Sequence, residues 1–362
     1  MLYYLLYSLH DAISGFNIFR YITFRSALAV MTSFFISLIF GPVLIEKLRK
    51  LKIGENINKG DSGKLDDLHR HKQNTPTMGG ILILAAILIS TLLWADIFNR
   101  YIIIVVLVTV WLGITGFTDD YLKQVKKKSK GLTVTAKLTS QIILGLILGT
   151  ILLLDRQSNI NLDVPFLKDI FINLDGLYII FVILVVAGSS NAVNLTDGLD
   201  GLAIGTVVMV AVAYSVLSYV SGNMKFSDYL LIPYIPGSGE LTVFCASILG
   251  AGLGFLWFNC YPASVFMGDV GSLALGGALG TVALLIKKEL LLVVVGGIFV
   301  VEALSVILQV VSFRLTKRRI FRIAPLHHHF QFLNWPENKV IVRFWIIAIL
   351  LALFTMVTLK IR

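Results

Sequence analysis

Long apolar runs separated by short polar stretches make up most of the chain. Most of them approach the roughly 20 residues that a helix needs to cross a bilayer. Runs able to span occur at about 26–46, 77–95, 101–118, 134–154, 177–193, 199–220, 241–259, 266–286, 290–313 and 340–359. They predict an all-α polytopic membrane bundle of ten transmembrane helices, with both termini on one side. The polar stretches between them are unequal. Residues 47–76, 121–133 and 314–338 carry eight, five and five Lys or Arg, and 194–198 and 260–265 carry none. The alternate set, 96–100, 155–176, 221–240 and 287–289, carries one, two, one and two. Eighteen basic residues against six place the first set in the cytoplasm and both termini outside it. Within 155–176, alternating stretches at Asn161–Pro165 and Phe171–Asp175 predict a small hairpin. The opening MLYYLLYSLH is too short to span and lacks the basic start and small-residue cleavage site of a signal peptide, so it reads as interfacial. No long Pro/Gly/Ser linker or charge block divides the chain, so residues 1–362 read as one domain.

Composition agrees with this pattern. A chain of 362 residues that is 57% hydrophobic and 14% charged is too apolar for a soluble globule. Its net charge of +10 is accounted for by cytoplasmic loops, so nucleic acid is not an expected partner. Cys245 and Cys260, near opposite ends of one run, predict neither a disulfide nor a zinc site.

The candidate chemistry lies at the cytoplasmic ends of the runs. Asn194-Leu195-Thr196-Asp197-Gly198-Leu199-Asp200-Gly201 is a polar turn between two spans. If the second helix begins at the turn, Asp197 and Asp200 lean toward one side and suit a cation or a cation-bearing phosphate; helix capping is the plainer alternative. The third span ends in Asp119 and Asp120, neighbours that point about 100° apart and so predict different roles. Acids at a helix C-terminus oppose the dipole, which counts against a merely solvated end. Phe266-Met267-Gly268-Asp269 opens the eighth run, where glycines admit an anion and the carboxylate suits a divalent ion; Asn259 adds an amide ligand or closes the turn. These hard oxygen ligands, without a cysteine or histidine cage, point to Mg²⁺. His327, His328 and His329 offer imidazole donors to phosphate or ribose oxygens, and one is a candidate general acid. Lys72 and the Thr77 hydroxyl are placed to meet a phosphate. Lys123 to Lys130 reads instead as a topology and headgroup patch. Glu302, in mid-run, is a functional candidate or an interhelical partner. No GxxxxGK[ST] loop is present.

Taken together, Thr75-Pro76-Thr77-Met78-Gly79-Gly80, Asp119-Asp120-Tyr121, Asn191 to Gly201, Phe266 to Asp269 and Pro325-Leu326-His327-His328-His329 resemble the polyprenyl-phosphate phospho-sugar transferases, most closely their muramoyl branch. The likeness extends over about residues 21–362. It implies ten membrane helices, Mg²⁺ dependence, and transfer of phospho-MurNAc-pentapeptide from UDP-MurNAc-pentapeptide to undecaprenyl phosphate with release of UMP. It places the enzyme in the bacterial inner membrane, with periplasmic termini and a site facing the cytoplasm; a second copy of the chain is a candidate partner. Catalytic roles are expected for Asp119, Asp120, Asp269 and His327, with the three aspartates as metal ligands. Substrate contacts are expected from Lys72, Thr77, Asn191, Asn194, Asp197, Asp200, Asn259, Phe266, His328 and His329. The chain departs from the pattern at Lys59–Gly63, Leu65–Leu68, Asn74 and Gln331. A sibling enzyme acting on UDP-GlcNAc and an ion-coupled transporter are the competing readings; the transporter predicts carboxylates at the membrane midplane.

Overall fold

The computed structural model describes residues 2–11, 13–51, 54, 72–73, 75–127, 131–155, 161–164 and 171–360. The departures expected at Lys59–Gly63, Leu65–Leu68 and Asn74 lie outside these. The helices are α1 (Leu2–Ser8), α2 (Ile22–Lys50), α3 (Gly80–Trp94), α4 (Arg100–Gln124), α5 (Val134–Leu154), α6 (Tyr178–Thr196) and α7 (Leu202–Ser221). They continue with α8 (Met224–Leu230), α9 (Glu240–Asn259), α10 (Gly268–Leu285), α11 (Glu289–Val295), α12 (Gly297–Thr316), α13 (Leu326–Phe332) and α14 (Glu337–Thr358). Among the described residues nine helices are long and apolar enough to cross a membrane, and α3, with 15 residues, is a shorter apolar helix at the second predicted run.

The bundle is organised around α10, which is buried along nearly its whole length between α3, α4, α6 and α7. Its sequence, GDVGSLALGGALGTVALL, is rich in small residues, which let neighbouring backbones close in where no water-driven force separates protein from lipid. A Cβ on Gly80 of α3 would lie 2.2 Å from the Gly271 nitrogen, and one on Gly276 would lie 2.4 Å from the Ser189 carbonyl oxygen of α6. Hydrogen bonds from Phe266 N–H to Pro76 O (2.8 Å), Gly79 N–H to Phe266 O (2.9 Å) and Gly80 N–H to Met267 O (2.8 Å) stitch the starts of α3 and α10 together. The motifs around Thr77 and Asp269 therefore arrive at the same place.

At the opposite end of the bundle, β1 (Asn161–Asp163) and β2 (Phe171–Asn173) pair antiparallel with Leu162 opposite Ile172, forming the predicted hairpin. The buried Lys288–Asp163 ion pair fastens it to the start of α11.

Three elements differ from the sequence expectation. The ninth run is interrupted at Gly296, so 290–313 is divided between α11 and α12; adjacent glycines are a known place for a helix to break. Residues 224–230 form a short helix because the Asn223 side chain accepts the Lys225 and Phe226 N–H groups. The second helix after the Asn194–Gly201 turn begins at Leu202, with Gly201 at φ +76° before it. Asp197 instead ends α6, and Asp200 lies outside any first turn, so the two carboxylates do not share one helical face.

Candidate active site

The C-terminus of α4, the N-termini of α5 and α10, and the C-terminus of α6 converge at one end of the bundle. Asn99 caps the start of α4, whose apolar run carries Asp119 and Asp120 into the interior near its other end, where both are buried. As adjacent helical positions they diverge. Asp119 Oδ1 accepts the Leu132 N–H (2.6 Å), and Oδ2 faces Lys123 Nζ at 2.5 Å and Lys137 Nζ at 2.7 Å. Asp120 Oδ2 accepts the N–H of Val270 at 3.1 Å, in the first turn of α10. Asp269 Oδ2 faces Lys137 at 2.5 Å and Lys123 at 3.1 Å, while Oδ1 accepts from the Asn194 amide at 2.8 Å. The same amide donates to Ser272 Oγ at 2.8 Å, fixing α6 against α10. Gly268, at φ +76°, lets the chain turn into α10 at this point; a Cβ there would lie 2.6 Å from Asp120 Oδ2.

Oxygen atoms of Asp119, Asp120 and Asp269 all lie within 4.8 Å of one another. Three carboxylates face two ammonium groups, so the cluster carries more carboxylate than its lysines offset, and burial makes that excess costly. This donor set of closely spaced hard oxygens fits a divalent cation and could hold a metal ion. Lys123 belongs to this cluster, which corrects its reading as part of a headgroup patch. Lys137 and its role in the cluster escaped the sequence reading. The signal available was a lone lysine in the first turn of the apolar run at 134–154, a position where an ionisable group is rarely idle.

Other candidates meet neighbours of their own. Lys72 is buried between Asp200 (2.7 Å) and Glu337 (2.5 Å), so its ammonium is turned to carboxylates rather than to an open phosphate site. Asp200 Oδ2 also accepts the Ala263 N–H (2.9 Å), which makes this residue part of the clasp rather than a cation ligand beside Asp197. The half-buried Asp197 belongs to the same turn. Asn259 Oδ1 accepts the Gly201 N–H (3.0 Å) and its amide donates to Val265 O (2.8 Å), closing the turn. Asn191 donates to Gln141 (2.7 Å) and to the Ala187 carbonyl. Thr77 is buried beside Gly268, and the half-buried Phe266 contributes its backbone to the α3–α10 junction.

The histidine segment is the helix α13 rather than a loop, so its three consecutive rings take different directions. His327 is fully buried, with Nδ1 3.1 Å from Glu302 Oε2. His328 Nδ1 lies 2.8 Å from Gln331 Oε1. His329 Nδ1 accepts the Arg322 N–H at 3.2 Å, and its ring packs edge-on against Phe321. Glu302 is thus an interhelical partner of the histidine helix.

Comparison with known proteins agrees with this arrangement. The family profile described as glycosyl transferase family 4 matches residues 102–287, which hold all three clustered aspartates. The signature of the phospho-N-acetylmuramoyl-pentapeptide-transferases matches residues 72–84. The chain is 53% identical over 364 residues to the phospho-N-acetylmuramoyl-pentapeptide-transferase of Desulfatibacillum aliphaticivorans, 52% over 363 residues to that of Desulforapulum autotrophicum, and 53% over 365 residues to that of Thermodesulfovibrio yellowstonii. In each case 100% of both chains is covered.

Proposed function

Since the chain belongs to glycosyl transferase family 4, and within it to the phospho-N-acetylmuramoyl-pentapeptide transferases of peptidoglycan precursor synthesis, we propose that it transfers phospho-MurNAc-pentapeptide from UDP-MurNAc-pentapeptide to undecaprenyl phosphate. The products are UMP and the lipid-linked pyrophosphoryl sugar. The observation that carries this reading is the convergence of Asp119, Asp120 and Asp269 with Lys123 and Lys137 at one end of an apolar bundle. That placement at helix ends, rather than in mid-membrane, also favours a phosphoryl transferase over an ion-coupled transporter.

In this reading an oxygen of the lipid phosphate attacks the sugar-linked phosphorus, and the bond to the UMP oxygen breaks. The reaction asks the protein for positioning and for compensation of negative charge. Asp119 orients the lipid phosphate and accepts its last proton when that phosphate is a monoanion. Lys123 and Lys137 hold Asp119 and Asp269 in place and offset charge on the phosphates. Asp120 and Asp269, the latter set by Asn194, would hold a Mg²⁺ ion, with Asp119 available as a further ligand. When bound, Mg²⁺ neutralises charge on the pyrophosphate. His327, Lys72, Thr77, Asn191, Asp197, Asp200, Asn259, Phe266, His328 and His329 line or support the substrate site.

In the same reading the enzyme lies in the inner membrane with this end of the bundle in the cytoplasm and periplasmic termini, an orientation that the Lys and Arg bias of the loops supports. A homodimer is the proposed assembly. A product assay with purified protein, undecaprenyl phosphate and Mg²⁺ tests the substrate choice: UDP-MurNAc-pentapeptide is expected to yield UMP and UDP-GlcNAc to yield none. The reverse preference would reassign the chain to a sibling activity.

A further inference from the structure

Glu302 is fully buried in the second turn of α12, where an unpaired carboxylate is costly. It meets three donor positions on the histidine helix. Oε2 accepts the Leu326 N–H at 2.9 Å, Oε1 accepts the His327 N–H at 3.1 Å, and Oε2 lies 3.1 Å from His327 Nδ1. An ionised carboxylate only accepts, so the contact with Nδ1 is a hydrogen bond when Nδ1 carries the proton. In the neutral ring that leaves Nε2 with a lone pair.

Nε2 is itself buried and has no hydrogen-bond partner among the described residues. It points at the Asn194–Gly201 turn, where a Cβ on Gly198 would lie 2.3 Å from it. A buried ring nitrogen without a partner is costly, and a protein tolerates one where a ligand supplies the missing bond. Fully ionised phosphate oxygens have no proton to give such a nitrogen, so its partner is an N–H or O–H group.

We propose that Glu302 is a positioning residue that holds His327 with the proton on Nδ1, so that Nε2 accepts a hydrogen bond from an N–H or O–H group of the bound sugar nucleotide. The proposal rests on the substrate reading given above. A glutamine at 302 presents an NH₂ group that can donate to Nδ1, which favours the other tautomer and turns Nε2 from acceptor to donor.

The test uses full-length detergent-solubilised protein carrying ¹⁵N-histidine, with UMP as the binding probe. The wild-type spectrum is expected to contain a signal with a protonated Nδ1 and a bare Nε2 that is absent from H327A, which separates it from any like signal of His10 or His328, whose Nδ1 atoms also face oxygens. E302Q is expected to move the proton to Nε2. E302Q and H327A are each expected to weaken UMP binding at least tenfold, and the double variant should bind no more weakly than H327A alone. A wild-type His327 with its proton on Nε2 would overturn the proposal without needing any variant to fold. Additive losses in the double variant would also overturn it, because a carboxylate that merely caps α13 acts whether or not the ring is present. If the wild type neither binds UMP nor turns over UDP-MurNAc-pentapeptide, the substrate reading fails and takes the ligand half of the proposal with it. The ligand-free spectrum would still decide the Glu302 half.

Discussion

Lys72 offers a test in which holding the fold and holding a phosphate predict different results. Lys72 is 7% exposed, and its ammonium lies between the carboxylates of Asp200 (3% exposed) and Glu337 (8% exposed). Replacing Lys72 by Met keeps most of the stem but leaves both acids without a cation. Each retains a backbone donor, from Ala263 to Asp200 and from Asp200 to Glu337, so neither is wholly unpaired. Breaking a buried pair from one side costs about 3–5 kcal/mol. Glu337→Gln is milder: Lys72 keeps Asp200 one-to-one, the amide oxygen still accepts the Asp200 N–H, and the loss is about 1 kcal/mol. At about 2 °C per kcal/mol for a chain of this size, K72M should lower the melting temperature in detergent by about 6–10 °C and E337Q by about 2 °C. Removing the stranded acids as well, in K72M/D200N/E337Q, should recover much of the loss. The assay is thermal unfolding of the purified variants beside UMP release. K72M within about 2 °C of wild type, with only turnover lost, would refute the clasp and return Lys72 to direct contact with a phosphate.

Four further outcomes are expected. Asp119→Asn should lose the most below about pH 6, where the lipid phosphate still carries its last proton, whereas Asp120→Asn should lose activity evenly; pH–rate profiles of the two variants are the check, and equal losses at every pH would remove the division of roles. Gly268→Ala, which forces a Cβ against Asp120 Oδ2 at a positive φ, should reduce kcat about 100-fold with a stability loss of only about 1–2 kcal/mol, measured by kinetics and thermal unfolding together. At the other end of the bundle, burial pushes the carboxyl of Glu289 up to about 7, against which Lys287 acts. Because the folded state then binds the proton more tightly than the unfolded chain, stability should fall as pH rises from about 4.5 through about 7, by roughly 3 kcal/mol, and Glu289→Gln should flatten that dependence in melting curves at pH 5 and pH 8. Cysteines introduced at Ser62, Ser129 and Asn334 should be labelled only from the cytoplasm, and labelling from outside intact cells would invert the topology.

The helical bundle was legible because hydrocarbon leaves a spanning chain few alternatives, so run length and loop charge carry most of the information. The hairpin at Asn161–Asn173 was legible from alternation alone. The break at Gly296 was not, since a run of apolar residues looks the same whether its helix is continuous or divided. In the site, Asp119, Asp120 and Asp269 stood out as acids at the ends of apolar runs, and their divergence followed from helical spacing. What spacing could not convey was who faces whom. The sequence groups Lys123 with the neighbouring lysines of its loop, yet it turns inward because Asp119 lies one helical turn before it. Lys137, Glu337 and the Glu302–His327 contact join residues 18 to 265 positions away from their partners, and a single sequence does not record such pairings.

The claim that the three-aspartate cluster performs phosphoryl transfer to a lipid acceptor is tested most directly by single-turnover UMP release. Purified wild-type protein and Asp269→Asn would be compared with UDP-MurNAc-pentapeptide and Mg²⁺, with and without undecaprenyl phosphate. The account predicts UMP from the wild type only when the lipid is present, in equal amount to the lipid-linked sugar, and a loss of orders of magnitude in Asp269→Asn with its melting temperature retained. Near-normal release from Asp269→Asn at saturating Mg²⁺ would contradict it, and so would a wild type that yields no UMP with both substrates present.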